Sequence, residues 1–197
     1  MIQDDLRNKA EIKYYVSIEK KLIYISILKC ASMSSIEYLT KESDFIPIYD
    51  YDTEQIKNSK IFAIIRDPKS RWISGLNELM CHDVIVNWKP YVEQELKKNK
   101  FIFDYHTVPQ FNSVSYYSRL VSISDITLLR LDKNLNEKLS SLIGEDVKLG
   151  YENTTSSEES KKRNLNFCKR MFKTYCEKNP KYYQRYEFDY IMFNISI

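Results

Sequence analysis

Two short segments set cations and hydroxyls where an anion can be held. The first, Lys29-Cys30-Ala31-Ser32-Met33-Ser34-Ser35, puts a lysine ahead of three serines at the expected mouth of a helix. Backbone N–H groups at a helix start and the positive end of its dipole attract anions; hydroxyls add donors, and a lysine adds a mobile point charge. A helix that begins with serines needs no ligand, so this segment is a weak signal by itself. The second segment, Arg66-Asp67-Pro68-Lys69-Ser70-Arg71-Trp72-Ile73-Ser74, leads from an apolar run into a helical pattern. Ser74 falls about two turns into that helix, so Arg66 and Ser74 can reach one phosphate. An arginine fork with a hydroxyl is a good receptor for a dianion. Ordinary surface or ion-paired arginines would also account for an isolated Arg-Asp-Pro.

A proton acceptor is the other chemistry to look for, and the chain has two histidines. His106 is the first choice because an unperturbed histidine titrates near neutral pH. His82, beside Cys81 near a helix end, is assigned to structure. Glu37 is the reserve, about two turns beyond Lys29, although a glutamate on a helix ordinarily faces solvent.

The elements that must position these residues alternate in type. Residues 22–28 (LIYISIL) are apolar and β-branched, bounded by lysines, and read as a buried parallel strand, with a helix from about Ser32 to Thr40. Ile61 to Ile65 is a second strand; Asp67 then serves as N-cap and Pro68 as first helical residue of a helix running to Met80. A helix is expected over 86–99, a loop from Phe101 to Gln110, a third strand over Ile126 to Leu131, and a short helix from Leu135 to Ile143 closed by Gly144. The polar stretch from Gly150 to Ser160 reads as mobile, and two helices, Asn164 to Lys178 and Pro180 to Phe193, are separated at Asn179-Pro180. Strands alternating with helices predict a single α/β domain over 1–197 with a central, mainly parallel sheet flanked by helices. In such sheets ligands bind beyond the carboxyl ends of the strands, which here means just after Leu28 and just after Ile65.

On these residues a family resemblance rests. KLIYISILKCASMSS and IFAIIRDPKSRWISG resemble the two motifs by which sulfotransferases bind PAPS (3′-phosphoadenosine 5′-phosphosulfate), and the R-x-P-x-x-R-x-x-S pattern is complete at Arg66, Pro68, Arg71 and Ser74. His106-Thr107-Val108-Pro109-Gln110 is similar to the H-x-x-P-Q element of the carbohydrate sulfotransferase branch, and LLRLDKNL to a later strand-to-helix junction. Leu28 and Ser32 stand where the family usually has proline and glycine. The resemblance implies a P-loop-like three-layer fold and transfer of a sulfuryl group from PAPS to an acceptor hydroxyl, with a saccharide as acceptor and no metal. It implies a PAPS site of Lys29, Cys30, Ala31, Ser32, Met33, Ser34, Ser35, Arg66, Ser74 and Arg163, in which Lys29 serves the leaving oxygen and His106 is the base. Lys161-Lys162-Arg163 would then fold over the nucleotide, or stand as a solvated charge run. A catalytically degenerate member that binds nucleotide or glycan is an alternative. A P-loop nucleotide kinase is another, but Lys29 opens its loop instead of ending it and the glycines of that motif are absent.

Composition narrows the classes. A chain of 197 residues is the size of one domain, able to bury roughly 70% of its unfolded surface. A net charge of +3 is too small for a general nucleic-acid binder but permits a local basic pocket. The four cysteines form no CxxC pair and have no companion histidines at zinc spacing, so they are expected as buried thiols. The longest apolar run near the N-terminus is too short to cross a bilayer and no signal peptide is visible, so a cytoplasmic chain without a membrane anchor is expected.

Overall fold

The computed structural model describes residues 14–48, 58–81, 88–115, 122–150 and 159–195. In chain order the elements are β1 (Tyr14–Ser17), β2 (Leu22–Ile25), α1 (Ser32–Lys41), β3 (Ile46–Ile48), β4 (Lys60–Ile65), α2 (Pro68–Leu79), α3 (Trp88–Lys97) and the short α4 (Phe111–Ser115). A 3-10 turn, Ile123–Asp125, leads into β5 (Ile126–Arg130), followed by α5 (Leu135–Ile143), α6 (Glu159–Met171) with a π-helical end over Phe172–Cys176, and α7 (Pro180–Ile195).

The sheet order is β3-β1-β2-β4-β5. β2, β4 and β5 are parallel neighbours, with Ile23 opposite Ile61 and Ile61 opposite Ile126. β1 runs antiparallel to both β2 and β3, so four of the five described strands point the same way. Every residue of β2, and Ile61 to Ile65 of β4, is buried, so both faces of the sheet's centre are covered. That burial is why these strands read as unbroken apolar runs instead of alternating ones. Leu39 of α1 and Leu135, Leu139 and Ile143 of α5 join the core around the sheet. A second core forms where α2, α3, α6 and α7 pack together around Trp72, Phe172, Tyr182 and Tyr186.

Local chemistry accounts for the boundaries near the site. Asp67 is the N-cap of α2, its carboxylate accepting from the Ser70 N–H at 2.7 Å, with Pro68 in the first turn. Gly144 ends α5 at φ 82°, the left-handed conformation that glycine adopts without penalty.

Two expectations need correction, and two elements were not expected. Residues 22–28 are not one strand: β2 stops at Ile25, and Ser26 to Leu28 leave the ladder to form the loop into α1. The N-terminal hairpin was not expected because its turn carries no glycine; Lys21 takes the left-handed conformation there, at φ 53°. β3 contains Pro47, which a sheet tolerates because β3 lies at the edge. The expected mobile stretch from 150 to 160 falls largely on residues 151–158, outside the described residues, and α6 begins at Glu159, before the expected Asn164. Among the described residues no helix is long and apolar enough to cross a membrane.

Candidate functional site

Beyond β2 the backbone makes a tight turn, with Cys30 N–H donating to Ile27 O at 3.2 Å. Lys29 and Ala31 both have positive φ, 64° and 58°, on either side of Cys30, which does not. A left-handed conformation costs a non-glycine residue about 1 kcal/mol or more, and such strain clusters where a loop has a task. Alternation of hand along consecutive residues turns successive N–H groups toward one concavity, the anion-binding nest. Ser32 is the first residue of α1 and is not among the positive-φ positions. The N–H groups of Ser32, Met33 and Ser34 precede the first intrahelical bond of α1, from Ser35 N–H to Ala31 O at 3.0 Å.

The loop residues separate by direction. Met33 is 64% exposed, whereas Ser32 and Ser35 are buried and the Ser35 hydroxyl lies beside that of Tyr24. Cys30 is buried, its thiol donating to Gln110 Oε1 at 3.5 Å, and burial pushes its pKa up to about 11, so it is a neutral packing group. Lys29 pairs with Glu78 of α2, Nζ to Oε2 3.1 Å.

Arg66 leaves β4, the parallel neighbour of β2, and its Nη1 donates to the Lys29 carbonyl at 3.3 Å. Burial lowers the pKa of its guanidinium, yet an arginine so shifted keeps its charge. The Gln110 side chain clamps the Arg66 backbone twice: Oε1 accepts from Arg66 N–H at 3.1 Å and Nε2 donates to Arg66 O at 2.8 Å. It thereby pairs with a peptide group at the strand end much as another strand would. Gln110 is itself fixed by Asp189 of α7, which accepts from Gln110 N–H at 2.9 Å and from Phe111 N–H at 2.8 Å. Burial pushes the Asp189 carboxyl up to about 6, against the pull of Arg71 and the two N–H donors.

Arg71, matched to the motif on sequence, is only 2% exposed. Its Nε donates to Leu28 O at 3.1 Å and its Nη1 to Val108 O, so one guanidinium ties the turn after β2 to the loop that carries His106. Ser74 lies on α2 one turn beyond Arg71 and is half-buried.

His106 lies in the 101–110 loop and is 7% exposed. Its Nδ1 is 2.6 Å from Asp104 Oδ2, and Tyr105 packs beside its ring, centroids 4.1 Å apart. The loop sits directly on α2: a Cβ at Gly75 would come within 2.3 Å of His106 O, so only glycine permits this approach. The same helix carries Ser74 and Glu78, and Glu78 is the partner of Lys29.

The arrangement thus joins Lys29, Arg66, Arg71, Ser74 and His106 through one helix and one clamp. Glu37 is not part of it, being engaged with Lys41 on the exposed side of α1 at 2.6 Å. Arg163, with Lys161 and Lys162, falls within α6, but these side chains are outside the described set, as is His82 altogether. Asp104, Glu78, Gln110 and Asp189 are site residues that the sequence reading assigned no role. Two open surface depressions, one beside Asn136 and Lys148 and the other beside Lys97 and Tyr175, involve none of these groups. No family model, curated protein or solved structure matches the chain.

Proposed function

We propose that the chain transfers a sulfuryl group from PAPS to an acceptor hydroxyl of a carbohydrate, on a P-loop-like three-layer fold. The observation that carries this reading is the contact between the two strand ends, where the Arg66 guanidinium reaches the Lys29 carbonyl at 3.3 Å. It sets Arg66 beside the lysine-bearing turn that opens α1, at the carboxyl ends of the neighbouring strands β2 and β4, and the helix that follows Arg66 carries Ser74. A nucleotide with anionic groups at both its 5′ and 3′ ends requires such a pair.

In this reading Lys29, the loop from Cys30 to Ser35 and the first turn of α1 receive the 5′-phosphosulfate. Arg66 and Ser74 hold the 3′-phosphate, and Arg163 is assigned to the nucleotide site by the resemblance alone. The reaction is an in-line displacement at sulfur, in which the protein positions the reactants and stabilises charge on the leaving oxygen. Lys29 serves that charge once its ammonium exchanges the Glu78 carboxylate for the donor's anion. His106 accepts the proton of the attacking hydroxyl.

The direct test is incubation with PAPS and a panel of saccharide and small hydroxyl acceptors, read by mass spectrometry. The expected result is a saccharide that gains one sulfuryl group, formed without added magnesium. Transfer to phenols alone would remove the carbohydrate assignment, and absence of any sulfated product would remove the enzymatic one. The pairing of Lys29 with Glu78 favours a second reading, a nucleotide- or glycan-binding member of the same fold without turnover. Bisphosphate binding with no sulfated product in the same panel would select it.

A further inference from the structure

We propose that Asp104 is a positioning residue for proton transfer, holding His106 in the tautomer that carries its proton on Nδ1 and leaves Nε2 as the acceptor nitrogen. The inference rests on the sulfuryl-transfer reading for the proton that is moved, but the tautomer follows from contacts in the chain itself.

An ionised carboxylate only accepts hydrogen bonds. Nδ1 lies 2.6 Å from Asp104 Oδ2, so it must carry a proton, and in the neutral ring Nε2 then holds the lone pair. The other carboxylate oxygen, Oδ1, accepts from His106 N–H at 3.0 Å and Thr107 N–H at 3.3 Å. Both oxygens are therefore committed to this turn, one to its backbone and one to the imidazole.

The turn is locked from two further sides. Thr107, fully buried, accepts through Oγ1 from Phe103 N–H at 2.8 Å and Asp104 N–H at 3.1 Å, and its carbonyl accepts from the Tyr186 hydroxyl. On the opposite side, Gly75 admits the His106 carbonyl against α2. An Asp-initiated turn closed by its own side chain needs only Oδ1. Loop closure thus leaves the short contact from Oδ2 to the ring unexplained, whereas orientation of a base explains it.

The acceptor O–H bond breaks and its proton goes to His106 Nε2. The freed oxygen pair forms the new bond to sulfur while the bond from sulfur to the bridging oxygen breaks. The leaving 5′-phosphate departs with that electron pair beside Lys29. The imidazolium that results has its Nδ1–H on the Asp104 carboxylate, which stabilises the charge as it forms.

Two histidines make the tautomer directly readable, because 15N-histidine-labelled protein with His82→Gln has His106 as its one imidazole. In alkaline buffer, the expected spectrum shows a protonated Nδ1 and an unprotonated Nε2. Asp104→Asn keeps an oxygen for the two N–H groups but turns an amide donor toward the ring, so the tautomer should invert. In the same variant kcat should fall at least about a hundredfold, with KM for PAPS changed by less than about threefold. An Nε2–H tautomer in the parent protein, an unchanged tautomer in Asp104→Asn, or inversion with unchanged kcat would each overturn the proposal. A parent with the expected tautomer that binds the bisphosphate but sulfates nothing would instead overturn the transfer reading, and the role of Asp104 with it.

Discussion

His106→Ala is expected to lower sulfuryl transfer by about a hundred- to ten-thousandfold, the usual range for removal of a general base, while affinity for adenosine 3′,5′-bisphosphate stays within about twofold. The separation follows from the fold. The proposed nucleotide receptors are carried by the turn after β2 and by Arg66 after β4, whereas the His106 imidazole is held by Asp104 within the 101–110 loop. Replacement by alanine leaves the His106 and Thr107 N–H groups on Asp104, so the turn keeps its backbone bonds. Steady-state kinetics with PAPS, paired with calorimetry of the bisphosphate, checks both halves. Undiminished turnover would remove histidine as the base, and binding lost in proportion to rate would make it a structural residue.

Arg71→Ala should destabilise the protein by about 3–5 kcal/mol, the scale for removing one member of a buried charged network. That is a large share of the roughly 5–15 kcal/mol that holds a domain folded. Arg71 is 2% exposed and satisfies carbonyls on two separate segments, Leu28 O and Val108 O, while drawing the buried Asp189 carboxyl toward its ionised form. Its loss strands two acceptors and removes the cation that Asp189 depends on. Arg71→Lys should recover part of the loss, since an ammonium keeps the charge but not the planar fork that reaches both carbonyls. Urea denaturation of the three proteins measures the difference. A loss below about 1 kcal/mol in Arg71→Ala would show that this guanidinium does not brace the site.

What could be read ahead of the structure was whatever lies within a few residues. The unbroken apolar run at β4, the Asp67-Pro68 helix start and the Gly144 stop each follow from local chemistry and stand where expected, and β2 begins where expected but ends three residues early. The positive φ of Lys29 and Ala31 was invisible because glycine, its usual marker, is absent from that loop. Gln110 and Asp189 are 79 positions apart, and Lys29 and Glu78 are 49 apart, so no spacing rule links either pair. Asp104 sat two residues from His106 and went unassigned, because adjacency in a loop does not say where a side chain turns. Arg71 was recognised as a motif position, but its role as a brace appeared only once Leu28 and Val108 were found on either side of it.

Titration of adenosine 3′,5′-bisphosphate into the parent protein and into Arg66→Ala, both without magnesium, bears most directly on whether two strand ends share one doubly anionic ligand. Saturable binding is expected in the parent, weakened about ten- to a hundredfold in the variant by loss of a charged hydrogen-bond set worth roughly 1.5–3 kcal/mol. Equal affinity in the two proteins, or a parent that binds only ATP with magnesium, would contradict it.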